Sequence, residues 1–260
     1  MTRHDSAGEP SVLARALTVL AAFDREHLVL KLSELAAATD LPQTTAYRHV
    51  MELVRWGALD RVPGGGYQIG LRMVEVAALC PRGQPLREAA LPFLEDLYEA
   101  THQNVQLAVR DGGDVVYVEF LSARNAVAVN TRVGGRWPLH ATGVGLAILA
   151  HSPHEVVQAA LSGPLQVFTD KTIRTADHLR QVLAETRRTG VAVSDGQVTL
   201  DGYSVAAPIF GADGQVVAAV SIVVPGDDEH RWAWAPAVRT AAHGISRQLG
   251  GRTAAGRTGR

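Results

Sequence analysis

Two apolar stretches in helical register, joined by a turn of only two residues, constrain this chain more than any other feature. Leu35, Ala36 and Ala37 belong to a short predicted helix running from Ser33, whose hydroxyl is placed to cap it, to Thr39. Asp40 and Leu41 make the turn, and Pro42 stands where a first-turn proline is tolerated because its missing N–H would have had no partner. The next helix runs to about Trp56, burying Ala46, Val50 and Leu53, and Gly57 stops it. So short a turn holds the second helix across the first and exposes the face that its core residues do not use.

An amphipathic helix precedes this pair, with Ser11 as N-cap and Val12, Ala16, Val19, Leu20 and Phe23 on one face. Behind it, Ala58–Val62 and Tyr67–Gly70 flank a Pro63-Gly64-Gly65-Gly66 tip, the pattern of a β-hairpin. Three helices and a hairpin in this order predict a winged helix-turn-helix over residues 1–70. The exposed face of its third helix carries Gln43, Thr44, Thr45, Tyr47 and Arg48, and the wing carries Arg61 and Gly65. This chemistry suits DNA. Arginine forks onto guanine, glutamine pairs with adenine, threonine and tyrosine reach phosphates or base edges, and bare glycine backbone approaches the phosphates closely. His49 falls where an apolar residue is natural and reads as a satisfied core histidine.

Residues 71–84 read as a linker. Leu71–Leu79 is apolar around most of its circumference, as expected of a helix that packs on a second copy of itself, and Pro81, Gly83 and Pro85 mark a boundary. From 85 to 250 the pattern is mixed α and β. Helices are predicted near Leu86–Thr101, Gly143–His151, Pro153–Leu161, Ala176–Thr189 and Trp234–Leu249. Strands are predicted at Val105–Arg110, Val115–Phe120, Val127–Val133, Val191–Asp195, Ser204–Phe210 and Val216–Val223. Residues 251–260, rich in Gly, Ala and Arg, are expected to be a disordered tail.

At 260 residues and 47% hydrophobic, the chain can bury two unequal cores. Its longest apolar run, Val216–Val224, stops at Pro225, far short of the ~20 residues that span a bilayer, so a cytoplasmic protein is expected. A single cysteine, Cys80, excludes an intrachain disulfide and any zinc site needing two cysteines. His151 and His154 have a metal-like spacing without a third clustered ligand, so no metal and no cofactor are assigned. A Gly-x-Ser-x-Gly elbow, a P-loop and a dinucleotide glycine fingerprint are all missing from the sequence, and no catalytic residue is assigned.

The net charge of −1 runs against a chain that coats nucleic acid, and residues 1–80 hold eight basic against nine acidic residues. Only the stretch Pro42–Arg72 is locally positive, with Arg48, Arg55, Arg61 and Arg72 against Glu52 and Asp60. With so few cations, DNA binding needs two or more subunits and has a shallow salt dependence.

The runs Leu32-Ser33-Glu34-Leu35-Ala36, Leu41–Arg48 and Tyr67-Gln68-Ile69-Gly70 resemble the DNA-binding domain of the isocitrate lyase regulator (IclR) family of bacterial transcription factors. The resemblance continues through Gly135–Gly145, Phe168-Thr169, Thr172-Ile173, Arg187–Gly190, Ala206–Phe210 and Ala218–Ser221. It implies an α+β protein, in which a winged helix-turn-helix is joined by a linker helix to a GAF-like effector domain. It further implies a homodimer or homotetramer on palindromic operator DNA, responding to a small molecule and controlling a catabolic operon.

Carried over by position, the effector site comprises Ala126, Leu139, Gly143, Val144, Ser194, Asp195, Ser204, Ser221 and Val223. Ser204 stands where the family often has cysteine, Ser194 where it often has aspartate, Val223 where it often has serine, and Leu146 where it often has lysine. These departures make the site less polar than that of a small oxo-acid binder and point to an aromatic or partly apolar carboxylate, or an amide-like compound. Two other readings stay open at this stage: a hydrolase built on the α/β part, and a sensor acting through partner proteins.

Overall fold

The computed structural model describes residues 10–251 other than 25, 81, 125 and 227–230; the expected tail lies outside the described residues from 252 onward. The chain divides between residues 80 and 81 into two compact units. Among the described residues no helix is long and apolar enough to cross a membrane.

In the first unit, α1 (Val12–Ala21) begins at Ser11, whose hydroxyl accepts from Ala14 N at 3.1 Å, a cap that contributes about 1 kcal/mol. Val19 is its fully buried residue; Val12, expected on the inner face, is exposed. A two-residue strand β1 (Leu30–Lys31), not anticipated from the sequence, leads into α2 (Leu32–Ala38). The cap of α2 is Lys31 rather than Ser33, two residues earlier, and Lys31 N donates to the Glu34 carboxylate at 2.7 Å. Asp40 makes the turn in the left-handed region, at φ 53°. Pro42 then starts α3 (Gln43–Trp56), its carbonyl accepting from Ala46 N at 2.9 Å.

The hairpin β2 (Leu59–Val62) and β3 (Gly66–Ile69) follows, with β1 pairing antiparallel on the other side of β3. Val19, Leu30, Leu35, Val50, Leu59 and Tyr67 close a small core between the three helices and this sheet. His49 is buried with them, as expected of a core histidine, but its Nε2 has no hydrogen-bond partner among the described residues. The short helix α4 (Arg72–Ala78) ends the unit.

The second unit is built on a six-stranded antiparallel sheet in the order β6-β5-β4-β9-β8-β7. Its strands are β4 (Asn104–Asp111), β5 (Asp114–Leu121), β6 (Arg136–Pro138), β7 (Ala192–Asp195), β8 (Gly202–Phe210) and β9 (Val216–Pro225). Val127–Val133, expected as a strand, has no regular structure; the edge of the sheet is Arg136–Pro138. Two tertiary bonds hold the irregular segment instead: Asn104 Nδ2 donates to Val127 O at 2.7 Å and Trp137 Nε1 to Asn130 O at 3.0 Å.

Both faces of the sheet are covered, and strand alternation decides which residues go to which face. Val105, Leu107, Val205, Ala207, Val220 and Ile222 pack toward α5 (Gln84–Thr101) and α9 (Ala235–Gln248). Their neighbours Ala108, Ala206 and Ala219 pack toward α6 (Gly143–Ala150) and α8 (Ala176–Thr189), with α7 (His154–Ser162) outside them. All eight residues of α6 are buried, as suits a helix apolar all round. A bulge at Leu107/Ala108 opposite Val118 turns Tyr117 to the α6 face. Glu119, two residues on, is paired with Arg87 of α5.

Candidate functional site

In the first unit the N-terminal half of α3 is the exposed chemistry. Ala46, His49 and Val50 face the core, which leaves Gln43, Thr44, Tyr47 and Arg48 exposed as one stripe at i, i+1, i+4 and i+5, with Thr45 half-buried beside it. Arg48 has no ion pair or hydrogen bond among the described residues. The other cations of this region are engaged: Arg55 pairs with Glu52 at 2.7 Å, and Arg72 lies over the Trp56 ring at 4.6 Å. Arg61 reaches back from the wing to Met51 Sδ at 2.9 Å, beside the Tyr67 ring. At the wing tip Gly64 and Gly65 sit at φ 96° and 91° with open space where a Cβ would be. Side chains are disfavoured there by backbone conformation alone, and bare amide backbone is presented outward.

In the second unit a cavity of about 50 Å³ opens on the α6 face of the sheet. The cross-strand register builds its floor: Val223 lies opposite Ser204, and Ser204 opposite Ser194. Gln106 of β4 and Tyr117 of β5 extend the floor, and Val129, Asn130, Thr131 and Trp137 form one wall. Gln197, Val198 and Thr199, between β7 and β8, form another.

Gly143 closes the end of the cavity at the start of α6. A Cβ there would stand 2.5 Å from Ser204 Oγ, so only glycine lets the helix approach the strand this closely. Thr142 caps α6 by accepting from Gly145 N at 3.1 Å. The Gly143 and Val144 amides belong to the first turn, where helix N–H groups lack intrahelical acceptors.

No lining residue carries a formal charge. Burial pushes the Tyr117 phenol well up from its ordinary range, against side-chain hydrogen bonds with Thr131 and Thr142, so it is neutral. Ser194 Oγ donates to Ala141 O at 3.3 Å.

Of the residues expected at this site, Gly143, Ser194, Ser204 and Val223 line the cavity and five do not. Asp195 follows Ser194 on the strand and so points the other way, pairing with Lys171 at 2.9 Å. Ser221 is buried beneath Gln106, to which it donates at 3.2 Å. Val144 packs into the core under α6 and Leu139 lines a separate groove with Pro164 and Leu165. Ala126 sits in a turn, donating to Ala123 O. Gln106, Tyr117, Trp137 and Gln197 were not anticipated. Alternation from Ser221 and Ser204 could have found Gln106, the cross-strand neighbour of Ser221 on β4.

Comparison with known proteins is consistent over both units. Residues 12–63 match the IclR helix-turn-helix domain and residues 81–247 the bacterial transcriptional regulator IclR C-terminal domain. The chain is 32% identical over 194 residues to the HTH-type transcriptional regulator KipR of Bacillus subtilis (strain 168), covering 74% of this chain and 78% of that protein. A solved IclR homologue of Microbacterium hydrocarbonoxydans complexed with 4-hydroxybenzoate is 34% identical. It aligns with a TM-score of 0.86 over 92% of this chain and 99% of that one. The Thermotoga maritima IclR structure aligns at 26% identity, with a TM-score of 0.77 over 92% and 98% of the two chains.

Proposed function

This chain belongs to the IclR family of bacterial transcriptional regulators, and from that premise we propose that it is an operator-binding protein whose DNA affinity is set by a small aromatic acid. The observation that carries this reading is the chemistry of the cavity. It has aromatic rings in Trp137 of its wall and Tyr117 of its floor, hydroxyl and amide groups beside them, and no charged lining residue. Such a site favours a ligand that is largely apolar, with its carboxylate met by amide N–H groups and hydroxyls. The 4-hydroxybenzoate held by the Microbacterium hydrocarbonoxydans relative supports the same class.

On the DNA side, Arg48, Gln43, Thr44 and Tyr47 read base edges in the major groove, while Thr45, Arg61 and Gly65 contact backbone. Unit 1 has no surplus of positive charge, so a homodimer or homotetramer engages a palindromic operator. The exposed apolar side chains of Leu71, Val74, Val76 and Leu79 along α4 support self-association, as do Leu13 and Leu17 of α1. Ligand shifts a population between arrangements that do and do not fit two half-sites. The protein works in the cytoplasm, releases its ligand unchanged, and controls a catabolic operon. Retardation of flanking intergenic DNA by the full-length protein, with benzoate, 4-hydroxybenzoate, glyoxylate and pyruvate added in turn, tests this. The aromatic acids move the affinity and the oxo-acids do not; the reverse pattern overturns the effector class.

A further inference from the structure

Gln197 carries an unmet hydrogen-bonding demand at the cavity. It lines the wall, is 7% exposed, and its Oε1 is buried without a hydrogen-bond partner among the described residues. Its backbone is held firmly: Gln197 O accepts from Thr172 Oγ1 at 2.6 Å, and the preceding Gly196 O accepts from Thr169 Oγ1 at 2.7 Å. Thr172 Oγ1 in turn accepts from the amides of Phe168 and Thr169 at 3.1 and 2.9 Å. The loop from Phe168 to Thr172 thus fixes where the Gln197 side chain starts from, yet gives its carbonyl nothing to bond. A buried acceptor left unpaired is costly, and a ligand that donates to it removes that cost at the moment of binding.

We propose that Gln197 is a specificity-determining residue that reads a hydroxyl or amino substituent on the ring of an aromatic acid. The inference rests on the reading of the cavity as an aromatic-acid site and deepens it. An ionised carboxylate only accepts hydrogen bonds, so it cannot satisfy Gln197. The donor is a second group on the ring. Gln106 complements this arrangement: its Oε1 already accepts from Ser221 at 3.2 Å, while its NH2 group has two hydrogens to donate. Gln106 therefore serves an acceptor on the ligand and Gln197 a donor. A site built to hydrogen-bond a substituent rejects the analogue lacking it more strongly than an apolar pocket rejects a missing methylene.

Calorimetry on the full-length protein tests this with 3- and 4-hydroxybenzoate, 4-aminobenzoate, and the 3- and 4-fluorobenzoates, which match the hydroxyl in size but cannot donate. At least one hydroxybenzoate is expected to bind ten-fold or more tighter than its fluoro counterpart. In Gln197→Leu that preference falls to within about two-fold, and the melting temperature of the free protein is unchanged or higher, because an unpaired polar atom has been removed. Equal binding of hydroxy and fluoro acids overturns the inference and leaves the aromatic-acid reading standing. So does a preference that survives Gln197→Leu, or a lower melting temperature in that variant, which assigns Gln197 a structural role. Absence of binding by all five acids, in a protein that still retards operator DNA, overturns both.

Discussion

Ser221 of β9 donates its hydroxyl hydrogen to Gln106 Oε1 of β4 at 3.2 Å, with both side chains buried. The bond joins two central strands at the register pair Gln106–Ser221 and leaves only Gln106 facing the cavity. Ser221→Ala is therefore expected to act on stability first. It leaves a buried carbonyl unpaired at a cost of about 1–3 kcal/mol, a fall in melting temperature of about 2–4 °C per kcal/mol at this domain size. Ser204→Ala, which removes a hydroxyl lining the cavity, acts on ligand affinity first. Paired thermal melts and calorimetry check the contrast, and a reversed pattern contradicts it.

Gly143 offers a sharper steric test. Alanine there places a Cβ 2.5 Å from Ser204 Oγ and 3.1 Å from Ser204 Cβ. Gly143→Ala is expected to lower effector affinity at least ten-fold while operator binding without effector stays within about three-fold of the parent. Adding Ser204→Ala removes the nearer clash and recovers part of the loss. Two substitutions in contact are expected to be non-additive in this way; strict additivity in the calorimetric double-mutant cycle rejects the assigned approach.

The arginines of α3 separate by their partners. Arg48 has no ion pair or hydrogen bond among the described residues, whereas Arg55 is held by Glu52 at 2.7 Å. A bidentate base contact contributes about 1–3 kcal/mol, so Arg48→Ala is expected to weaken operator binding roughly ten- to hundred-fold with circular dichroism unchanged. Arg55→Ala, the loss of one exposed ion pair, stays within about three-fold. Footprinting on both variants distinguishes them; equal losses contradict the assignment of Arg48.

The charge balance sets the salt response. Residues 1–80 carry one more acidic than basic residue, and each phosphate contact contributes about one unit to the logarithmic salt slope. A slope of only a few units per subunit is expected, together with a steep dependence of retardation on protein concentration. Tight binding of random DNA by a monomer in moderate salt contradicts this.

Much of the framework was legible because local rules and tertiary packing agreed. The turn at Asp40, the glycine wing tip and the continuous apolar runs of β8 and β9 carry their own geometry, and strand alternation with the observed register puts Ser204 and Val223 on one face. It also separates Ser194 from Asp195, a distinction that position-by-position transfer missed. Alternation tells side but not depth, so it does not show that Ser221 is fully buried and bonded to Gln106. Segments placed by distant partners left no local signal. The apolar residues between Val127 and Val133 imitate a strand, yet Asn104 and Trp137 hold them as a cavity wall. Gln197 lies outside any strand and is positioned by hydroxyls some 25 residues upstream.

The most direct test of the whole account is an operator titration of the full-length protein with and without saturating 4-hydroxybenzoate, in parent and Gly143→Ala forms. The account predicts that the ligand moves the apparent operator affinity of the parent by ten-fold or more, in one direction, and that the variant needs at least ten-fold more ligand for the same shift. Operator binding that ignores a ligand shown by calorimetry to occupy the parent protein would contradict it.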